Sequence, residues 1–257
     1  MKKILYLLIF VLLTILTQIG GVLFLITLLI STKSKLHTFL IFLSFYFIST
    51  FLLIPHLAPL IGREPVINST KIEPTNYLSI LLNRNYVRKE LNQLLHETAQ
   101  NLGNTPFKIK YLDASFPFIN KFPLLPHLSH NDGKKIDISF VYENAHGIVD
   151  DKKSRSGYGV FVPLKTGEYN QTKACKSKGA FQYDYPKYLK LGKVNENLKF
   201  SIKGTKQLIE ALLKNRKLGK LFIEPNLKKR LKLNDKRVRN HGCRAVRHDD
   251  HIHVQLR

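Results

Sequence analysis

The sequence predicts an α+β domain, a small antiparallel sheet with flanking helices, preceded by two transmembrane helices. Three observations carry this expectation. All 18 acidic residues of the 257-residue chain lie beyond Gly62, so the chain divides into two unlike parts. The part before Gly62 is built from two long apolar runs. In the part after it, helical and strand patterns alternate irregularly, with no internal repeat, no G-x-G-x-x-G and no P-loop, which argues against a doubly wound parallel sheet.

Residues 1–62 read as a membrane anchor. An uncharged, Leu/Ile-rich stretch covers about residues 4–30, and a second, “LHTFLIFLSFYFISTFLLIP”, covers about 36–56 after the short basic loop “STKSK”. Each exceeds the roughly 20 apolar residues that cross a bilayer. A cleaved signal peptide has a shorter apolar run and a small-residue cleavage site, and the first stretch has neither. Lys2 and Lys3 before the first run balance Lys33 and Lys35 between the two, so charge gives no orientation. Two spans place the N-terminus and the remainder on one side. Residues 63–76, with the polar, Pro-containing “STKIEPTNY”, read as a linker, and residues 77–257 as the folded domain.

Beyond residue 62 the chain carries 37 basic against 18 acidic residues, a net charge of +19. A surface of this sign favours a polyanion: nucleic acid, anionic lipid headgroups or an anionic cell-wall polymer. Tethering to a membrane argues against nucleic acid, which is not expected as a partner. Cys175 and Cys243 fit either one disulfide outside the cytoplasm or two unrelated buried thiols. With no C-x-x-C pair, a Cys-rich zinc finger is excluded.

Within the domain, “YLSILLNRNYVRKELNQLLHETAQNL” from Tyr77 to Leu102 places Val87, Leu91, Leu94 and Leu95 at helical spacing and stops at Gly103. “FKIKYLD” alternates like a half-buried strand, and “KIDISFVY”, “YGVFVP”, “KLFIEP” and “HIHVQL” read as further strands. “GTKQLIEALLKNRKLG” reads as a helix closed by Gly219, and “ACKSKGAFQYDYPKYLKLGKVNENL” shows no clear period.

Histidine and aspartate placement carries the chemistry. The loop “PHLSHNDGKKIDIS” offers His127, His130 and Asp137, with Gly133 free to make a tight turn between the last two. His251 and His253, two apart on a strand, project from one face while Ile252 and Val254 face the other. A catalytic zinc takes three protein ligands and keeps one position open. His130, Asp137 and one member of the His251/His253 pair supply that set, and the other member stands where a general base belongs. A lone histidine is more often a surface residue. Asp137 is less easily dismissed, because Asp is disfavoured in strands and costly if buried unpaired.

“SHNDGKKID”, with His130, Gly133 and Asp137 in H-x-x-G-x-x-x-D spacing, resembles the S-x-H-x-x-G-x-x-x-D box of the lysostaphin-type and D-Ala-D-Ala zinc metallopeptidases. “HDDHIH” resembles their H-x-H box. Within that group the chain most resembles the penicillin-insensitive murein endopeptidases, with His127 three before His130 and the H-x-x-H-x-H spacing in His248, His251 and His253. The resemblance spans most of residues 77–257. It implies that His130, Asp137 and His253 bind one zinc ion, that His251 is the catalytic base, and that His127 and His248 stand behind the ligands or face the substrate, His127 in the position of an upstream histidine that in the family also approaches the metal. Asp249 and Asp250 match no ligand position. For the second metal of some members, “ENAHGIVDD” offers His146, Asp150 and Asp151 without a matching spacing.

The implied activity is hydrolysis of peptidoglycan peptide cross-links, with a terminal D-Ala-D-Ala bond or a non-catalytic wall-polymer-binding role as alternatives. A peptidoglycan substrate implies a domain outside the cytoplasmic membrane, “STKSK” inside it, and a Cys175 to Cys243 disulfide.

Overall fold

A computed structural model describes residues 1–31 and 34–257; Thr32 and Lys33, within the “STKSK” loop assigned above to the cytoplasm, lie outside the described residues. The chain forms two units. The first comprises Met1–Val66, Tyr77–Lys89 and Asp113–Lys134, and the second Ile67–Asn76, Glu90–Leu112 and Lys135–Arg257.

In the first unit the expected pair of transmembrane helices is not found. The stretch 4–30 is two helices, α1 (Lys2–Thr17) and α2 (Gly20–Ile30). Gln18, at φ 68°, reverses the chain between them. Gly20 and Gly21 let the two helices close against each other, since a Cβ on Gly21 would lie 2.6 Å from the Phe10 carbonyl oxygen. Tyr6 and Phe24 then meet edge to face at 6.0 Å. Helices of 16 and 11 residues reach roughly 24 and 16 Å, short of a hydrocarbon core of about 30 Å. Among the described residues only α3 (Lys35–Ile61, 27 residues) is long and apolar enough to cross a membrane. Mean hydropathy alone conceals this break, because a helical hairpin and a single span share a composition.

Polar side chains tie this helical layer to the rest of its unit. Gln18 Oε1 accepts the Phe118 N–H at 2.8 Å, and Tyr46 donates to the Leu81 carbonyl at 2.7 Å. Arg63 donates to the Phe116 carbonyl and to Asn120 Oδ1. Its guanidinium lies over Gly133, where any Cβ would come within 2.6 Å of Nε. Strands β1 (Glu64–Pro65) and β3 (Tyr86–Val87) pair antiparallel. The single helix expected over 77–102 is interrupted, leaving α4 (Leu78–Leu81), β3 and α5 (Lys89–Leu102). Asn83 takes φ 56°, and the N–H groups of Tyr86 and Arg88 go to Ser115 and Gly133 carbonyls instead of the preceding turn.

The second unit holds a six-stranded sheet in the order β10 (Val238–Arg239), β9 (Leu218–Phe222), β11 (His251–Leu256), β5 (Lys135–Ser139), β4 (Ile109–Tyr111), β2 (Ile72–Pro74). The sheet is mixed, not the small antiparallel sheet expected. Its centre is antiparallel, but β2 with β4 and β9 with β10 are parallel. Helices explain this: α5 carries the chain from β2 back to β4, and α8 (Pro225–Arg230) carries it from β9 to β10, and such crossovers join parallel neighbours. The segment read as a linker therefore supplies an edge strand, with Ile72 fully buried. A separate three-stranded sheet joins β6 (Tyr142–Asn144) to β7 (Gly147–Val149) and β8 (Lys199–Phe200).

Core residues of this unit come from two helical stripes and one sheet face. Leu91, Leu94 and Leu95 of α5 and Leu208, Ile209 and Leu212 of α7 (Ile202–Leu213) are fully buried, as are Ile136, Ile138, Ile252 and Val254. The Ser201 hydroxyl caps α7 by accepting the Gly204 N–H. Gly219 does not close that helix but lies in β9, where a Cβ would sit 2.7 Å from the Leu256 carbonyl oxygen. “YGVFVP” forms no strand: Gly157 (φ 89°) and Gly159 (φ 81°) turn the chain there.

Candidate metal centre

The two central strands of the sheet bring chemistry together by alternation. In their antiparallel register His253 lies opposite Asp137 and His251 opposite Ser139. Directly opposed residues share a face, so Asp137, His251 and His253 emerge together, away from the Ile/Val core. All three are buried, and they belong to the His/Asp groups of this chain that could hold a metal ion.

Distances sharpen this. His253 Nδ1 is 2.9 Å, and His251 Nε2 3.7 Å, from the same Asp137 oxygen, Oδ1. Ligand atoms about 2.0 to 2.2 Å from a tetrahedral ion stand roughly 3.3 to 3.6 Å apart, so Asp137 and His253 are close enough to share one ion. Buried His/Asp groups that include these residues could hold a metal ion.

Each group is oriented by a partner behind it. Asp250 Oδ1 lies 2.5 Å from His251 Nδ1, which turns Nε2 inward. Asp250 Oδ2 accepts the Gly159 N–H at 2.6 Å. Tyr158 donates its hydroxyl to Asp137 Oδ2 at 2.8 Å and sets its ring 5.2 Å from that of His251. Burial alone favours a neutral His251 ring, but the carboxylates of Asp137 and Asp250 outweigh it and raise the pKa to about 9.

His248 packs beside the pair, 4.8 Å from the His251 ring and 5.7 Å from that of His253. Burial, with the neighbouring imidazoles of His251, His253 and His241, pushes its pKa well below the ordinary 6.5. Its backbone N–H donates to Glu224 Oε1 at 2.8 Å, the same oxygen that accepts the Tyr183 hydroxyl at 2.6 Å. Burial raises the pKa of Glu224 despite these donors. His241, which the sequence patterns pass over, stacks between Phe222 and His248 at 3.6 and 5.0 Å.

Of the other predicted residues, His127 and His130 belong to the first unit. Both are buried, with rings 5.4 Å apart. His130 Nδ1 lies 2.8 Å from the Ala114 carbonyl, the kind of contact that fixes an imidazole's tautomer. Ser129 directly precedes His130 instead of standing two before it. Asp249 does not face the cluster but is held by Arg247, whose Nε lies 2.7 Å from its Oδ1. The loose second site does not assemble: His146 is exposed at a hairpin turn, and Asp150 stands 3.4 and 3.5 Å from the amino groups of Lys110 and Lys108.

Cys175 and Cys243 are joined in a disulfide. It clips α6 (Gln171–Ser177) to the turn Gly242–Arg244 that follows His241. Between α6 and residues 161–164 lies a 680 Å³ cleft, reached by Lys173, Lys176 and Arg247. Sequence reasoning missed Tyr158, Gly159 and the orienting role of Asp250. The signal available was the G-Y-G triplet, in which two glycines isolate one aromatic residue.

No family model matches the chain, and no curated protein matches it.

Proposed function

We propose that this chain is a zinc-dependent peptidase that hydrolyses peptide cross-links of peptidoglycan, with Asp137 and His253 as ligands and His251 as general base. One observation supports this most: His251 and His253 face one oxygen of the buried Asp137, with Asp250 behind His251. A mere structural histidine has no need of a carboxylate on each side. The “SHNDGKKID” box supplies His130 as the third ligand of the proposal, and His127 follows as an accessory to it.

Zinc would act as a Lewis acid on the scissile carbonyl. His251 Nε2 takes a proton from the attacking water as its oxygen adds to that carbonyl. It then returns the proton to the leaving amine as the C–N bond breaks, work that contributes about 10²- to 10⁴-fold. Asp250 keeps the other proton on Nδ1 throughout. A dication held by Asp137 would take up part of its charge and leave less of it to keep a proton on Nε2. His248, kept neutral by burial, is available to donate or accept a hydrogen bond beside the base.

The reading places the enzyme at the cytoplasmic membrane with its second unit on the outer side. Exposed Leu5, Leu8, Leu12, Leu36, Phe39 and Phe47 along α1 and α3 support association with lipid. The disulfide suits an oxidising compartment, and a net charge of +19 beyond residue 62 suits an anionic wall. The test is release of muropeptides from purified cross-linked peptidoglycan, followed by mass spectrometry. Activity should vanish with a chelator, return with zinc, and fall at least 100-fold in His251→Ala and His130→Ala; unchanged cleavage in either variant overturns the assignment.

A further inference from the structure

One short loop reaches both carboxylates of the cluster. Residues 154–159, “SRSGYG”, are held by their own side chains. The Ser154 hydroxyl donates to the Tyr158 carbonyl at 2.7 Å and accepts the Gly157 N–H, and the Ser156 hydroxyl accepts the Tyr158 N–H at 3.0 Å. Both glycines adopt backbone angles that L side chains rarely take. Space excludes alternatives as well: a Cβ at 159 would come within 2.5 Å of the Pro186 carbonyl oxygen, and one at 157 within 2.3 Å of Leu112. The loop is built to hold Tyr158 in one place.

What it holds is a single polar contact inside a buried site. The Tyr158 hydroxyl meets Asp137 Oδ2, while Oδ1 of the same carboxylate faces His251 and His253. The next residue sends its N–H to Asp250. We propose that Tyr158 is a positioning residue of the metal centre: its hydroxyl fixes the rotation of the Asp137 carboxylate, so that one oxygen binds the ion and the other is withheld. Gly159 does the same for Asp250, and through it for His251. A carboxylate free to rotate presents either one or both oxygens. One pinned by a phenol presents one, at a set angle between two imidazoles.

This inference rests on the metal reading proposed above and goes beyond it, since neither the histidine spacing nor the two boxes involve residues 154–159. Outer partners of this kind are worth about 10- to 100-fold in metal affinity. The experiment compares the full chain with Tyr158→Phe, which removes one oxygen atom and keeps the ring against His251. Zinc affinity is measured by competition with a chromophoric chelator, and the thermal midpoint of the metal-free proteins is recorded in parallel.

The expected result is a zinc dissociation constant raised 10-fold or more in Tyr158→Phe, with a folded metal-free protein. Ser156→Ala, which loosens the loop without touching Asp137, should show a smaller shift in the same direction. Equal zinc affinity in wild type and Tyr158→Phe overturns the inference while leaving the peptidase reading intact. Weakened zinc binding in Tyr158→Phe, together with a wild type that cuts no peptidoglycan, upholds the inference and overturns the substrate assignment. A wild-type chain that binds no zinc overturns both.

Discussion

Asp250→Asn isolates the step on which the proposed chemistry depends. In the native site Asp250 accepts twice, from His251 Nδ1 through Oδ1 and from the Gly159 N–H through Oδ2. An asparagine at 250 has one acceptor and one donor. If its oxygen faces His251, its amide faces the Gly159 N–H, and two donors meet at a site where the native contact is 2.6 Å. If the amide is flipped, Gly159 is satisfied but His251 Nδ1 must become an acceptor. The ring proton then sits on Nε2, the nitrogen that has to take a proton. The first arrangement costs about 1 to 3 kcal/mol for a buried polar group left unmade. The second removes the general base, worth about 10²- to 10⁴-fold. The expected outcome is therefore a kcat lowered at least 100-fold on a soluble cross-linked muropeptide, with KM within about threefold, because the substrate still binds. Zinc content is checked alongside, since Asp250 touches no proposed ligand. A kcat within threefold of wild type would show that Asp250 does not set the tautomer of His251, and the assignment of the base would fall with it.

Two further predictions concern the frame around the site. The Cys175–Cys243 bond closes a loop of 68 residues, for which the chain-entropy account gives about 4 kcal/mol. Paired Cys→Ala replacement should lower the unfolding free energy by that order, read from denaturant titration, and added reductant should reproduce the loss only in wild type. The Arg230 guanidinium beside Glu168 holds that carboxyl at about 2, below its ordinary 4.5. A depressed carboxylate stabilises the fold fully above pH 4.5 and loses that contribution as pH falls towards 2. Acid titration of stability in Glu168→Gln should lack this part of the drop, and an identical acid limb in the two proteins would refute it.

Legibility in the sequence followed range. Alternation in “HIHVQL” and “KIDIS” gives two strands and puts His251 and His253 on one face of theirs, as found; that Asp137 shares this face depends on the register between the strands. Alternation is local, so it survives translation into structure. The mixed topology was not legible, because parallel pairing of β2 with β4 depends on where α5 returns the chain, and neither strand encodes that. The break at Gln18 was likewise hidden: hydropathy averages over the Gly20–Gly21 pair that closes the hairpin. Tyr158 was lost for a different reason. Val160, Phe161 and Val162 look like a strand beside it, and the left-handed glycines that prevent one are read only singly, as weak turn signals.

Register is what couples the fold to the site. His253 faces Asp137 only because β11 pairs with β5 in one alignment, and the period of a strand is two. A slip of one residue would carry His251 and His253 into the apolar layer and bring Ile252 and Val254 out beside Asp137. Both exchanges are unfavourable at once: two imidazoles would lose their carboxylate partners, and two side chains that are now fully buried would face the polar site. Burying a fully apolar side chain of this size is worth about 1.5 to 3 kcal/mol each, so the core residues alone disfavour the slipped pairing by several kcal/mol. The Ile/Val row thus does more than fill the interior. It sets the distance between the Asp137 carboxylate and the two histidines, and any variant that smooths the alternation, such as Ile252→Ser, should loosen metal binding without touching a ligand.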